Sequence, residues 1–144
     1  MAAKTGESMN RLTVLAITLG VMVVQPTLAD DAWMSAIVDN GWQRSLTNPS
    51  ESLVVLTEAA PPNAPYQRLW TRWEYQDLFE GKYLSEQSLL EFDCAAQKFR
   101  MVQDIKFSGR NSSGDETPNS TATDWSFAPP GSLFATLASK ACGN

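Results

Sequence analysis

LLEFDC at 89–94, AAQ at 95–97 and KFRMVQDIKF at 98–107 form the stretch that decides the fold. In the first segment Leu90, Phe92 and Cys94 alternate with Glu91 and Asp93; in the last, Phe99, Met101, Ile105 and Phe107 alternate with Lys98, Arg100, Asp104 and Lys106. Strand side chains point to opposite faces in turn, so this period of two predicts two half-buried strands. Three small or polar residues between them suffice for a hairpin turn. A tight turn sets Asp93 opposite Lys98 and Glu91 opposite Arg100, complementary pairs on the face turned to water.

The pattern extends outward in both directions. YQRLWTRWEY at 66–75 places Leu69, Thr71, Trp73 and Tyr75 on one face and Arg68, Trp70, Arg72 and Glu74 on the other. LVVLT at 53–57 reads as a short buried strand between turn-forming Asn48-Pro49 and Ala60-Pro61-Pro62, and DWSF at 124–127 as the last strand. Asp77–Lys82, ending Glu-Gly-Lys, is expected to turn. Ser108–Ala122 has only polar, Gly and Pro residues until its last position and is expected to be a long exposed loop. Its Asn111-Ser-Ser and Asn119-Ser-Thr fit the glycosylation sequon and are read as chance matches. Asp30–Trp42 spaces Trp33, Met34, Ile37 and Val38 as a short amphipathic helix stopped by Asn40-Gly41.

LFATLASKAC at 133–142 lines up Phe134, Leu137, Ala138 and Ala141 on one helical stripe, with Ser132 as N-cap, Lys140 in the last turn and Gly143 as the stop. The expected architecture is α+β: an antiparallel β-sheet of four to six strands with a C-terminal α-helix packed on one face and tethered by a disulfide.

Residues 12–24 (LTVLAITLGVMVV) follow Lys4 and Arg11 and lead to Pro26-Thr27-Leu28-Ala29, the layout of a secretory signal cut after Ala29. This largely apolar stretch of thirteen residues falls short of the roughly 20 that a spanning helix needs, so no transmembrane segment is expected after cleavage. Met9 lies close before the run and is a second candidate start. Residues 30–144 are read as one exported domain of 115 residues carrying a net charge of −6. That acidity argues against nucleic acid as a partner. The chain has no His, which removes the commonest general base and metal ligand.

Cys94 and Cys142 are the only cysteines. In an oxidising compartment they are expected to form a structural disulfide, closing a loop of about 49 residues and stabilising by roughly 4 kcal/mol in the chain-entropy picture. Two thiols without His leave metal coordination incomplete, and CxxC redox spacing is absent; two free buried thiols remain as the alternative.

Phe92-Asp93-Cys94 with Arg100 six residues later, then Phe107-Ser-Gly, then Trp125-Ser-Phe-Ala-Pro-Pro-Gly-Ser132, then Ala141-Cys142, together resemble the bacterial surface-adhesin protein E–like domain over about residues 66–142. The resemblance implies a β-sheet domain whose terminal helix is held by this cysteine pair. It also implies a Gram-negative envelope protein acting by adhesion to host matrix or another surface. Residues 30–65 match the pattern poorly. No Cys stands near Ala29 to take a lipid, and only Met34 and Met101 could serve as soft axial ligands to a haem. No cofactor is expected.

Two functional classes follow. The first is a binding module for a protein or surface component, with Arg68, Trp70 and Arg72 as candidate contacts, since Arg and aromatics anchor interfaces. The competing structural reading packs this row beneath the amino-terminal segment, or pairs its arginines with Glu74. Trp125 and the Pro-Pro-Gly-Ser corner admit a reading as a ligand cradle, but the preferred reading is core and helix lead-in. The second class, an enzyme, lacks any Gly-rich phosphate loop, nucleophile elbow or metal cluster, so the protein is read as non-enzymatic. A periplasmic accessory or structural protein binding another envelope component shares every feature of the first class.

Overall fold

The computed structural model describes residues 32–48 and 52–143; the expected signal segment and residues 30–31 of the expected first helix lie outside them. The described chain runs α1 (Ala32–Ser35), β1 (Gln43–Asn48), β2 (Leu53–Ala59), β3 (Gln67–Phe79), β4 (Tyr83–Asp93), β5 (Lys98–Phe107), β6 (Glu116–Asn119), β7 (Ser126–Phe127) and α2 (Leu133–Cys142). The strands form one antiparallel sheet in the order β1-β2-β3-β4-β5-β6, with β7 also pairing β5.

The sheet therefore has seven strands among the described residues, not four to six. The additions are polar: QRSLTN in β1 and ETPN in β6 carry no alternation, because an edge strand with little to bury needs none. β6 lies within the stretch expected to be loop. β3 runs on to Phe79, so the expected 77–82 turn tightens to Glu80 and Gly81, both at positive φ (51° and 69°). α1 is one turn rather than the longer helix expected.

β2 is buried from Leu53 to Thr57 because both faces of the sheet are covered there. On one face Leu53, Val55, Leu69, Trp73, Leu90 and Phe92 pack under Leu137 of α2, with Phe99, Met101 and Phe134 joining at the margin. On the other, Val54 and Leu56 pack under Ile37, Trp33, Met34 and Trp42.

The β4–β5 hairpin has the expected register, with Asp93 opposite Lys98 and Glu91 opposite Arg100. Its alternation breaks at a bulge: Leu90 faces Met101 but Leu89 faces Gln103, leaving Val102 unpaired. Beyond Val102 every side chain changes face. Ile105 and Phe107 therefore leave the face of Phe99 and Met101, and Asp104 and Lys106 take their place on the α2 side.

α2 is capped as expected. Ser132 Oγ accepts from the Ala135 N–H at 3.2 Å, and left-handed Gly143 (φ 74°) returns its N–H to Ser139 O. Phe134 stacks on Phe99 at 4.1 Å between centroids and tilts against Trp73 at 6.0 Å. The Cys94–Cys142 disulfide, with Cα atoms 5.9 Å apart, fastens the end of the helix to the end of β4.

Candidate functional site

The sheet face opposite α2 carries the row Arg68, Trp70, Arg72, Glu74. Its two halves are built differently. At the Glu74 end, residues 33–42 and the loop 109–113 close over the sheet. Asn111 holds the closure: its N–H reaches Glu74 Oε1 and Oε2 at 3.0 and 3.1 Å, its Oδ1 accepts from Val38 N–H at 2.8 Å, and its Nδ2 donates to Ala36 O at 2.9 Å. Ser112 N–H bonds Ser85 Oγ at 3.0 Å, and Ser85 Oγ donates to Gly109 O at 2.6 Å. Arg110 donates to the carbonyls of Tyr75 and Gln76 while its guanidinium lies 5.4 Å over Trp33. The first part of the expected loop is thus a fixed cap.

Arg72 sits beneath this cap and is only 2% exposed. Its Nε lies 2.9 Å from Glu74 Oε1, off the hydrogen-bond line, its Nη2 donates to Val38 O at 2.5 Å, and its guanidinium lies 5.6 Å from the Trp42 ring centroid. Burial pushes the Glu74 carboxyl above its ordinary value, against the pull of Asn111 N–H and the Arg72 and Arg110 charges.

The other half is built around Glu91, whose side chain is fully buried and not on a wet face. Arg68 Nε and Asn63 Nδ2 donate to Oε1 at 2.8 and 2.9 Å, and Arg100 Nε and Nη2 donate to Oε2 at 2.8 and 2.6 Å. Burial alone would raise this carboxyl, but the hydrogen bonds from Asn63, Arg100 and Arg68 together hold it below the ordinary carboxylate value. One carboxylate against two guanidinium groups leaves a surplus positive charge, and the two arginine side chains are 27% and 29% exposed.

Aromatic rings frame that charge. Arg100 lies 4.7 Å over Trp125 and 6.0 Å over Tyr66, and the two rings are 4.8 Å apart. Trp125 is half-buried in this cluster and belongs to neither core, contrary to its expected core position. Trp70, also half-buried, lies between Glu58 and Leu89 across its neighbouring strands.

Of the three candidate contacts, Arg68 and Trp70 thus remain partly at the surface and Arg72 does not. Asn63, Tyr66, Arg100 and Trp125 join them in space. The Glu91–Arg100 pairing was legible in the hairpin; the arrival of Tyr66 and Trp125 carries no local signal. Met34 and Met101 lie on opposite faces of the sheet and share no site. Among the described residues no group of three or more His, Cys, Asp or Glu could hold a metal ion, and no helix is long and apolar enough to cross a membrane.

An antiparallel meander closed by one disulfide-tethered helix, with a buried carboxylate gripping two arginines on its far face, defines a small, mostly β, α+β domain. Two solved structures of Haemophilus influenzae protein E share this fold. One, in crystal form II, superposes with a TM-score of 0.56 at 10% identity, covering 74% of this chain and 90% of that one. The other gives 0.52 at 15% identity, covering 74% and 86%. No curated protein sequence matches this chain significantly. The model of the surface-adhesin protein E family matches residues 42–143, and the chain belongs to that family.

Proposed function

We propose that this chain is an exported, non-enzymatic binding protein of a Gram-negative cell envelope. It docks a protein or surface component through the Arg–aromatic half of the sheet. The observation that carries this reading is the surplus positive charge on Arg68 and Arg100, held in place by buried Glu91 and framed by Tyr66 and Trp125, with Trp70 on the same face of β3 two residues from Arg68. Arginine and large aromatics contribute disproportionately at interfaces, and arginines already fixed by a carboxylate lose little freedom on binding. Charge complementarity favours an acidic partner surface. Family membership supports adhesion, with host matrix or another exposed surface as the target.

The test pairs location with contact. Protease shaving of intact cells should remove the domain, and Trp70→Ala with Arg68→Gln should weaken retention on an immobilised matrix preparation while circular dichroism stays unchanged. Protection from shaving, with release on osmotic shock, would make the protein a periplasmic one acting on another envelope component. Retention unchanged in the folded double variant would remove this half of the sheet as the contact.

A further inference from the structure

On the opposite side of the sheet, α2 covers only part of its face. Beyond the first turn of the helix a pocket of about 380 Å³ opens over β3, β4 and β5. Five aromatic rings line it, those of Trp73, Tyr75, Phe79, Phe99 and Phe134, and Glu86 lies among them. Nothing in the adhesion reading uses this pocket, and it is separated from the Glu91 cluster by the sheet itself.

Glu86 is the unusual element. It is 8% exposed, yet its hydrogen-bond partners are neutral: Ser88 Oγ donates to Oε1 at 2.7 Å and Tyr75 OH to Oε2 at 3.3 Å. Among the described residues no cation stands within ion-pair distance of it. The fully buried Glu74 and Glu91 are matched, by Arg72 and by two arginines, whereas buried Asp104, like Glu86, is met by a neutral hydrogen-bond partner. Lys106 lies across the β4–β5 register from Glu86, but Glu80 draws its Nζ away, with both oxygens 3.0 Å off. That ammonium instead rests 5.4 Å over Phe79 and 5.6 Å over Tyr83, so a ring of the pocket rim already receives a cation. A buried carboxylate with no ion-pair partner is costly, and aromatic faces attract cations most strongly where water is excluded.

We propose that this pocket binds a small organic cation, an ammonium group carried on an apolar body, with the cation facing Glu86 and its methyl or methylene groups against the aromatic walls. An anion would meet Glu86 and the buried Asp104, whose Oδ1 is occupied by Asn119 Nδ2 at 2.8 Å. A neutral apolar molecule would leave the carboxylate uncompensated. Burial pushes the Glu86 carboxyl above its ordinary value, Asp104 adds to this, and Ser88, Lys106 and Tyr75 oppose it. A bound cation favours the ionised form, so binding strengthens as pH rises through that raised value.

The full chain titrated with choline, against its neutral isostere 3,3-dimethylbutan-1-ol, tests this directly, read by the Trp73 indole N–H shift and by amide shifts on β3 and β4. Choline should give saturable shifts at these positions with an affinity about tenfold or more above the alcohol's, and Glu86→Gln should abolish that preference. Equal affinities, no saturable shift with choline, or a folded Glu86→Gln protein that still prefers choline would each overturn the proposal. Should Glu86→Gln fail to fold, Phe79→Ala at the exposed rim serves instead. It should weaken choline about tenfold, and choline affinity unchanged in that variant would count equally against the proposal.

Discussion

Arg100 stands directly across the β4–β5 register from Glu91, its Nη2 2.6 Å from Oε2, and the carboxylate it grips is shut off from solvent. Two arginines depend on that one acid for their geometry. Glu91→Gln keeps the shape and removes the charge. Breaking a buried pair costs about 3–5 kcal/mol, and because both arginines keep some contact with water the loss should fall nearer about 2–4 kcal/mol in urea unfolding at neutral pH. The lowered Glu91 value makes its contribution full above the ordinary carboxylate range and lost as pH falls through the folded value. The variant should accordingly show a shallower acid limb than the parent. An unchanged limb would mean that Glu91 is not the group titrating there.

Glu86 titrates with the opposite sign. Its raised value means that it favours the folded state fully below the unfolded carboxylate value, about pH 4.3, and that this is lost as pH rises through the folded value. Glu86→Gln should therefore gain on the parent steadily from about pH 4.3 upward and equal or exceed it at neutral pH. Urea midpoints measured between those limits decide the matter, and a constant gap would sink the assignment.

The disulfide spans 48 positions of sequence and is the covalent tie between α2 and the sheet. Cys142→Ala should cost about 2–5 kcal/mol, whereas Met34→Leu, a volume-conserving change in the smaller core, should cost under about 1.5 kcal/mol. Comparable losses from both changes would contradict the assigned role of the bridge.

Asn111 combines a left-handed backbone (φ 56°) with two side-chain bonds to the 36–38 segment. Alanine tolerates that conformation poorly and makes neither bond, so Asn111→Ala should cost about 2–3 kcal/mol. Hydrogen exchange should locate the effect, with Val38 N–H losing protection before the amides of β3 do.

What could be read beforehand divides along physical lines. The β4–β5 hairpin and α2 announce themselves because burying one face demands periodicity, and Ser132 and Gly143 carry cap chemistry that needs no tertiary context. β1 and β6 bury too little to leave a pattern. The bulge at Val102 hides for the reverse reason: Phe99, Met101, Ile105 and Phe107 keep one phase across it, and only the doublets Met101-Val102 and Gln103-Asp104 break the alternation where the strand changes face. Arg72 and Glu74 could be paired by proximity in sequence. The candidate contact surface could be read only in part, since Arg68 and Trp70 lie in one strand while Tyr66 and Trp125 reach Arg100 from 34 and 25 positions away.

The order β1 through β6 repeats the order of synthesis, so each strand finds its partner in the segment just before it. Such wiring pairs neighbours in sequence, and the hairpins can close one after another as the chain is delivered. Among the described residues, the 109–113 cap and α2 travel back across strands already laid down, and β7 returns to the edge of β5. Cys94 therefore sits on a finished hairpin and waits for Cys142, which makes oxidation the latch on an assembled sheet and not the guide that assembles it.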